Sequence, residues 1–213
     1  MGTLRVYICP NYDPSPMNWY EEEVQQLEKK IKTTTDVTNR TVFYGSSTIR
    51  LWKTLEQDFP EKRVLNIGFG GSTLAACDWF FERLVIPTKP RSLIFYAGDN
   101  DLGDGRLAEE VFLFFGALIT KMQQHLPDVP FTYMTIKPSP ARWHLIDRIR
   151  LANQLIRQKI AEIPNYHCVD MFTPMLDSKG HPRWDLFDAD GLHLSSKGYA
   201  LWKQILGQHP EIF

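Results

Sequence analysis

With 213 residues and a formal net charge of −1, the chain is long enough for one α/β domain and lacks the Lys/Arg surplus that would release counterions from a nucleic acid. A hydrophobic share of 43% and a charged share of 23% are ordinary globular values, which argues against a disordered or fibrous chain. No uninterrupted apolar run reaches membrane-spanning length, and Cys9, Cys77 and Cys168 lack the paired spacing of a zinc site or disulfide framework, so reduced thiols and a cytoplasmic protein are expected.

The first apolar run, Leu4–Cys9, is too short for a signal h-region and stops at Pro10. Asn18 and Glu21 form a capping box that predicts a helix carrying Tyr20, Val24, Leu27 and Ile31 on one face. Residues 1–40 therefore read as an N-terminal extension with a docked helix, and residues 41–213 as the main domain. Within it, five β-rich runs predict buried strands: Thr41–Tyr44, Val64–Phe69, Ser92–Ala97, Phe131–Ile136 and Tyr166–Met171. Between them lie helical faces: Leu51, Leu55 and Phe59 before Pro60; Leu74 to Ile86 before Pro87; Leu107 to Leu126 before Pro127; and Leu145 through Ile160. Ser195 is placed to cap a last helix containing Leu201, Trp202 and Ile205. This alternation predicts an α/β protein with a parallel sheet covered on both faces.

In such a sheet the ligand crevice lies outside the C-terminal ends of the strands, so the loops there carry the candidate chemistry. Gly45-Ser46-Ser47 follows the first run, Gly68-Phe69-Gly70-Gly71-Ser72 the second and Gly98-Asp99-Asn100-Asp101 the third; Asp190-Gly191-Leu192-His193 lies near the C-terminus. A serine hydroxyl becomes nucleophilic when an imidazole takes its proton, which pairs Ser47 with His193. Asp190, three residues earlier across a turn at Gly191, can hold the other ring nitrogen. The Ser47 and Gly71 N–H groups and the Asn100 side chain are candidate donors to an oxyanion.

Two competing motifs fail. A dinucleotide fingerprint starting at Gly68 needs glycine where Thr73 stands, and a calcium loop starting at Asp99 needs glycine at Asp104 and a ligand at Gly103. His125, His144, His167, His181 and His209 lack metal-ligand spacing, so neither metal nor cofactor is expected. The connection 172–190 is a candidate substrate wall, with Phe172, Trp184, Leu186 and Phe187 as its apolar lining and Arg142 and Trp143 on the opposite side.

Four blocks in this order, Gly-Ser-Ser at 45–47, Asn66 through Gly71, Gly-Asp-Asn-Asp at 98–101 and Asp-Gly-Leu-His at 190–193, resemble the SGNH (GDSL-type) hydrolases, relatives of the platelet-activating-factor acetylhydrolases, over about residues 41–206. The resemblance implies a flavodoxin-like three-layer α/β/α sandwich with a five-stranded parallel sheet. It also implies Ser47 as nucleophile, Gly71 and Asn100 as oxyanion donors, and Asp190 and His193 as the remaining pair. The first block departs from the usual Gly-Asp-Ser at Ser46, which keeps a short hydrogen-bonding side chain, and the segment 136–143 is similar to a bacterial subgroup. The expected function is cleavage of a small, short-acyl carboxylic ester through an acyl-enzyme on Ser47. Its partner is then a small-molecule ester, with no nucleic acid and no membrane insertion. The alternatives are acyl transfer or carbohydrate deacetylation by the same triad, or a small-molecule binding domain with weak turnover; the oligomeric state is open, a homo-oligomer included.

Overall fold

The computed structural model describes residues 15–213; Cys9 and the run Leu4–Cys9 lie outside the described residues. In chain order, α1 (Ser15–Thr33) precedes β1 (Thr41–Gly45), and α2 (Ser47–Arg50) and α3 (Leu55–Asp58) precede β2 (Val64–Asn66). Then α4 (Leu74–Leu84) leads to β3 (Ser92–Tyr96), α5 (Asp99–Gly103) and α6 (Ala108–His125) to β4 (Phe131–Met134), and α7 (Ile146–Ile160) to β5 (Tyr166–Val169), before α8 (Ser196–Gly207). The five strands are parallel in the order β2-β1-β3-β4-β5, which is the flavodoxin-like order. From β1 the chain steps outward to β2, and from β3 it steps the other way. A crevice therefore opens between the C-terminal ends of β1 and β3.

Successive strand side chains alternate between two buried layers. Val42, Tyr44, Leu93, Phe95, Phe131 and Tyr133 pack with buried residues of α1, α4, α6 and α7. On the other face Phe43, Ile94, Tyr96 and Met134 pack with Ile49 of α2, Leu55 of α3 and Trp202 of α8. Tyr44, Tyr96 and Tyr133 are fully buried. Each hydroxyl still finds an acceptor, respectively the Cys77 carbonyl at 2.7 Å, Asp99 Oδ2 at 3.2 Å and the Ala97 carbonyl at 3.0 Å, which removes the cost of burying a phenol.

Three expectations need correction. The second to fifth strands are shorter than their apolar runs, because regular pairing ends at the crevice rim while the side chains of Ile67, Phe69, Ala97, Ile136 and Met171 stay buried; after β2 the Ile67 and Phe69 N–H groups still reach the Phe43 and Gly45 carbonyls at 2.9 Å each. The single helix expected over Leu51, Leu55 and Phe59 is two short pieces, α2 and α3. Asp58 Oδ2 gathers Trp52 Nε1 at 2.8 Å and Thr54 Oγ1 at 2.6 Å, which fixes the bend between them. The Asn18–Glu21 capping box does not form, since α1 is already helical at Ser15. Glu21 instead shares the Arg83 guanidinium with Glu28, and these hydrogen bonds hold both carboxyls below their usual range. The pairs are about one-third exposed, so they orient α1 more than they stabilise it. Burial of Val24 and Ile31 does the docking. Ser195 does cap α8, accepting from the Gly198 N–H at 3.3 Å.

Gly45, the last residue of β1, shows why the first loop starts with glycine. Its φ is +131°, and a Cβ there would fall 1.9 Å from the Tyr96 carbonyl oxygen of the neighbouring strand. Gly45→Ala is therefore expected to destabilise the protein by more than about 2 kcal/mol, read as a lower urea midpoint. An unchanged midpoint would contradict this close approach.

Candidate active site

Ser47 is the first residue of α2, immediately beyond the β1 turn, and only 9% of it is exposed. Its Oγ lies 3.2 Å from His193 Nε2, although 146 positions separate the two residues. His193 Nδ1 lies 2.6 Å from Asp190 Oδ2. The other carboxylate oxygen of Asp190 accepts the Leu192 N–H at 2.8 Å and the His193 N–H at 2.9 Å, so one side chain shapes the loop and holds the ring. Desolvation pushes the Asp190 carboxyl up, but these amides and the imidazole outweigh it and bring it down to about 2. An ionised Asp190 accepts from Nδ1–H and leaves Nε2 free to take the Ser47 proton. The Ser47–His193 distance is at the long end of the hydrogen-bond range, as is common before a substrate closes the site.

Ser47, Gly71 and Asn100, the three residues expected to donate to an oxyanion, line the same cleft as His193. The Ser47 amide opens a helix and so has no intrahelical acceptor. Gly71 has a φ of +63°, a conformation that suits glycine, and among the described residues its N–H meets no acceptor. Asn100, in α5 beyond β3, donates one Nδ2 hydrogen to the Ser72 carbonyl at 3.1 Å, and its Oδ1 accepts from Arg142 Nη2 at 2.9 Å. The carboxamide is thereby fixed at both ends, with its second N–H available. Asn66 ties the floor together, donating to the Ile49 carbonyl at 2.6 Å and accepting the Gly68 N–H at 3.0 Å.

A charge cluster missed by the sequence reading lies behind Asn100. Lys137 is buried and reaches Asp99 Oδ2 at 3.0 Å, Tyr96 Oη at 3.1 Å and Thr48 Oγ1 at 3.2 Å; Arg142 Nη1 lies 3.5 Å from the same carboxylate oxygen. Burial pushes the Asp99 carboxyl up, yet the Lys137 and Arg142 charges prevail and hold it below the usual range. Lys137 and Arg142 both stand in the 136–143 segment noted in the sequence, but nothing in its pattern names Asp99 as their partner. Ser46, expected to keep a hydrogen bond in place of the usual aspartate, instead has its Oγ buried without a partner among the described residues.

The residues expected to form the substrate wall are placed as follows. Arg142 supports Asn100 from behind, Trp143 packs on His181 with ring centroids 5.6 Å apart, and Trp184 is 65% exposed beside Gly191. Leu186 and Phe187 belong to the core against α8, and Phe172 packs on the opposite core layer. The cleft holding Ser47, Gly71, Asn100 and His193 has a volume of about 630 Å³, and its far side is α1, through Trp19, Glu22, Glu23 and Gln26, with Arg50 beside them. Apolar periodicity identified the buried face of this helix and carried no information about what its polar face overlooks.

The GDSL-like lipase/acylhydrolase family model matches residues 35–201. No curated protein matches the sequence. Among solved structures the chain is similar to a protein from Streptococcus pneumonia named for platelet activating factor, with a TM-score of 0.78 and 19% identity over 92% of this chain and 96% of that one. It is also similar to a GDSL-like lipase from Bacteroides thetaiotaomicron, with a TM-score of 0.71 and 18% identity over 92% and 97% of the two chains. A carbohydrate esterase family 3 structure from Talaromyces cellulolyticus is similar at a TM-score of 0.65 and 17% identity, over 80% and 95%. At these identities the likeness is one of fold. Among the described residues no helix is long and apolar enough to cross a membrane.

Proposed function

Because the chain belongs to the GDSL-like lipase/acylhydrolase family, we propose that it hydrolyses a short-acyl carboxylic ester through an acyl-enzyme on Ser47. The observation that carries this reading is the unbroken contact chain Ser47 Oγ–His193–Asp190, at 3.2 and 2.6 Å. His193 takes the Ser47 proton as Oγ attacks the ester carbonyl carbon, and Asp190 steadies the imidazolium that results. The carbonyl oxygen becomes an oxyanion facing the Ser47 and Gly71 amides and Asn100 Nδ2. Collapse breaks the ester C–O bond while His193 returns the proton to the departing alcohol oxygen. Water, deprotonated by the same ring, then attacks the acyl carbon and frees the carboxylic acid and Ser47.

The character of the cleft supports a small, polar substrate. Glu22, Glu23, Gln26 and Arg50 line it, a poor surface for a long acyl chain, while Trp19 is 83% exposed at its mouth. A flat aromatic face next to carboxylate and amide acceptors suits a hydroxylated alcohol part, which favours acetylated sugars within this reading. The test is a panel of p-nitrophenyl acetate, butyrate and octanoate together with acetylated monosaccharides. The expected result is a fall in kcat/KM with acyl length; a preference for octanoate would overturn the short-acyl assignment. Asn100→Ala is expected to lower kcat on the acetate by about 10²–10³-fold with a smaller change in KM, since its free N–H meets charge that develops only in the transition state.

A further inference from the structure

We propose that α1 is a working part of this site, with Tyr20 and Glu23 as positioning residues that seat the Gly71 N–H opposite Ser47; the inference rests on the esterase reading above. The Gly70–Gly71 peptide supplies that N–H, and both neighbouring peptide groups are held from α1. Glu23 Oε2 accepts the Gly70 N–H at 2.8 Å, and Tyr20 Oη donates to the Gly71 carbonyl at 3.2 Å. The stretch from Gly68 to Gly71 contains three glycines and one phenylalanine, so little side-chain packing is available to locate it. An oxyanion donor displaced by a few tenths of an ångström loses much of its value, which makes an external brace consequential.

The brace itself is rigid. The Tyr20 ring meets Phe69 and Phe80 edge-on, with centroids 5.5 and 6.3 Å away, and Arg83 clamps Glu21, which lies between Tyr20 and Glu23, together with Glu28 farther along the helix. Contact is close enough that a Cβ on Gly70 would lie 3.1 Å from Glu23 Oε2 and 3.2 Å from Arg50 Cζ. Desolvation raises the Tyr20 phenol above its ordinary value, so it remains a donor across the neutral and mildly alkaline range. The family match begins at residue 35, after α1 has ended, so this brace is supplied from outside the matched segment.

The test measures kcat and KM on p-nitrophenyl acetate for Tyr20→Phe, Glu23→Ala, the double variant and Glu23→Gln, with thermal midpoints recorded alongside and Ser47→Ala as reference. Tyr20→Phe deletes one hydroxyl and leaves the ring contacts, so it remains informative if Glu23→Ala folds poorly. Each single variant is expected to lower kcat about 5- to 10-fold and the double variant about 30- to 100-fold, with KM within about 2-fold. Glu23→Gln keeps an acceptor for the Gly70 N–H without the charge and is expected to recover most of the loss. An unchanged kcat in the double variant, a loss confined to KM, or a Gln variant as impaired as Ala would each overturn the proposal while Ser47→Ala remains inactive. Wild-type rates in Ser47→Ala would overturn the esterase reading itself.

Discussion

Ser47→Ala should lower kcat on p-nitrophenyl acetate by about 10⁴-fold or more, and should abolish covalent labelling by a fluorophosphonate probe. The size follows from the role proposed. Without Oγ no acyl-enzyme forms, and the residual rate is what the oxyanion donors and binding alone contribute to direct attack by water. The substitution deletes a single atom from a residue that is nine-tenths buried and whose Oγ is engaged with His193, so the fold should be retained. A thermal midpoint within a degree or two of wild type would show that. A labelled, active Ser47→Ala protein would place the nucleophile elsewhere.

Asp190→Asn should lower kcat by about 10²–10⁴-fold while leaving the loop in place. Asparagine keeps one carbonyl oxygen for the Leu192 and His193 amides, which the carboxylate now serves at 2.8 and 2.9 Å. Towards the ring, however, it presents N–H where Asp190 presents an acceptor at 2.6 Å. Nδ1 must then accept, Nε2 carries the hydrogen, and the imidazole faces Ser47 with the wrong nitrogen form. A variant with more than half the wild-type kcat would remove Asp190 from the relay. The same carboxyl also makes a pH-dependent contribution to stability. Its value of about 2 in the fold lies below the ordinary value of about 3.9 expected in the unfolded chain, so its stabilisation is present above pH 4 and is lost as pH falls towards 2. The side chain is half exposed, which screens the effect. Urea midpoints of wild type and Asp190→Asn should accordingly converge between pH 6 and pH 2.5, and a gap that widens on acidification would contradict the depressed value.

Much of the architecture was legible because it depends on local pattern. Five apolar runs bounded by turn residues mark the strands, and proline and Ser195 mark helix ends. The positions of Ser47 and Asn100 follow from strand-end loops, since in a parallel sheet all such loops gather at one rim, whereas Asp190 and His193 were legible from their motif before the last helix. Strand ends were overestimated at Ile67–Phe69 and Met171 because burial continues past the regular strand pairing, and composition does not separate a buried loop from a strand. The contribution of α1 to the cleft was missed for a related reason. Aromatic residues such as Trp143 and Trp184 look suited to line a pocket, whereas which surface they occupy depends on how a long connection folds back. The polar face of α1 and the Lys137–Asp99–Arg142 cluster are products of long-range packing, and no spacing along the chain announces them.

The buried Lys137–Asp99 contact joins the start of α5, after β3, to the loop after β4, and it has an evolutionary corollary. Removing Lys137 alone would leave Asp99 with only Arg142 at 3.5 Å, and removing Asp99 alone would leave Lys137 buried without its carboxylate, so the two segments are energetically coupled. Over generations, replacing either ion by a neutral residue alone would be penalised, so the two positions should drift together or not at all.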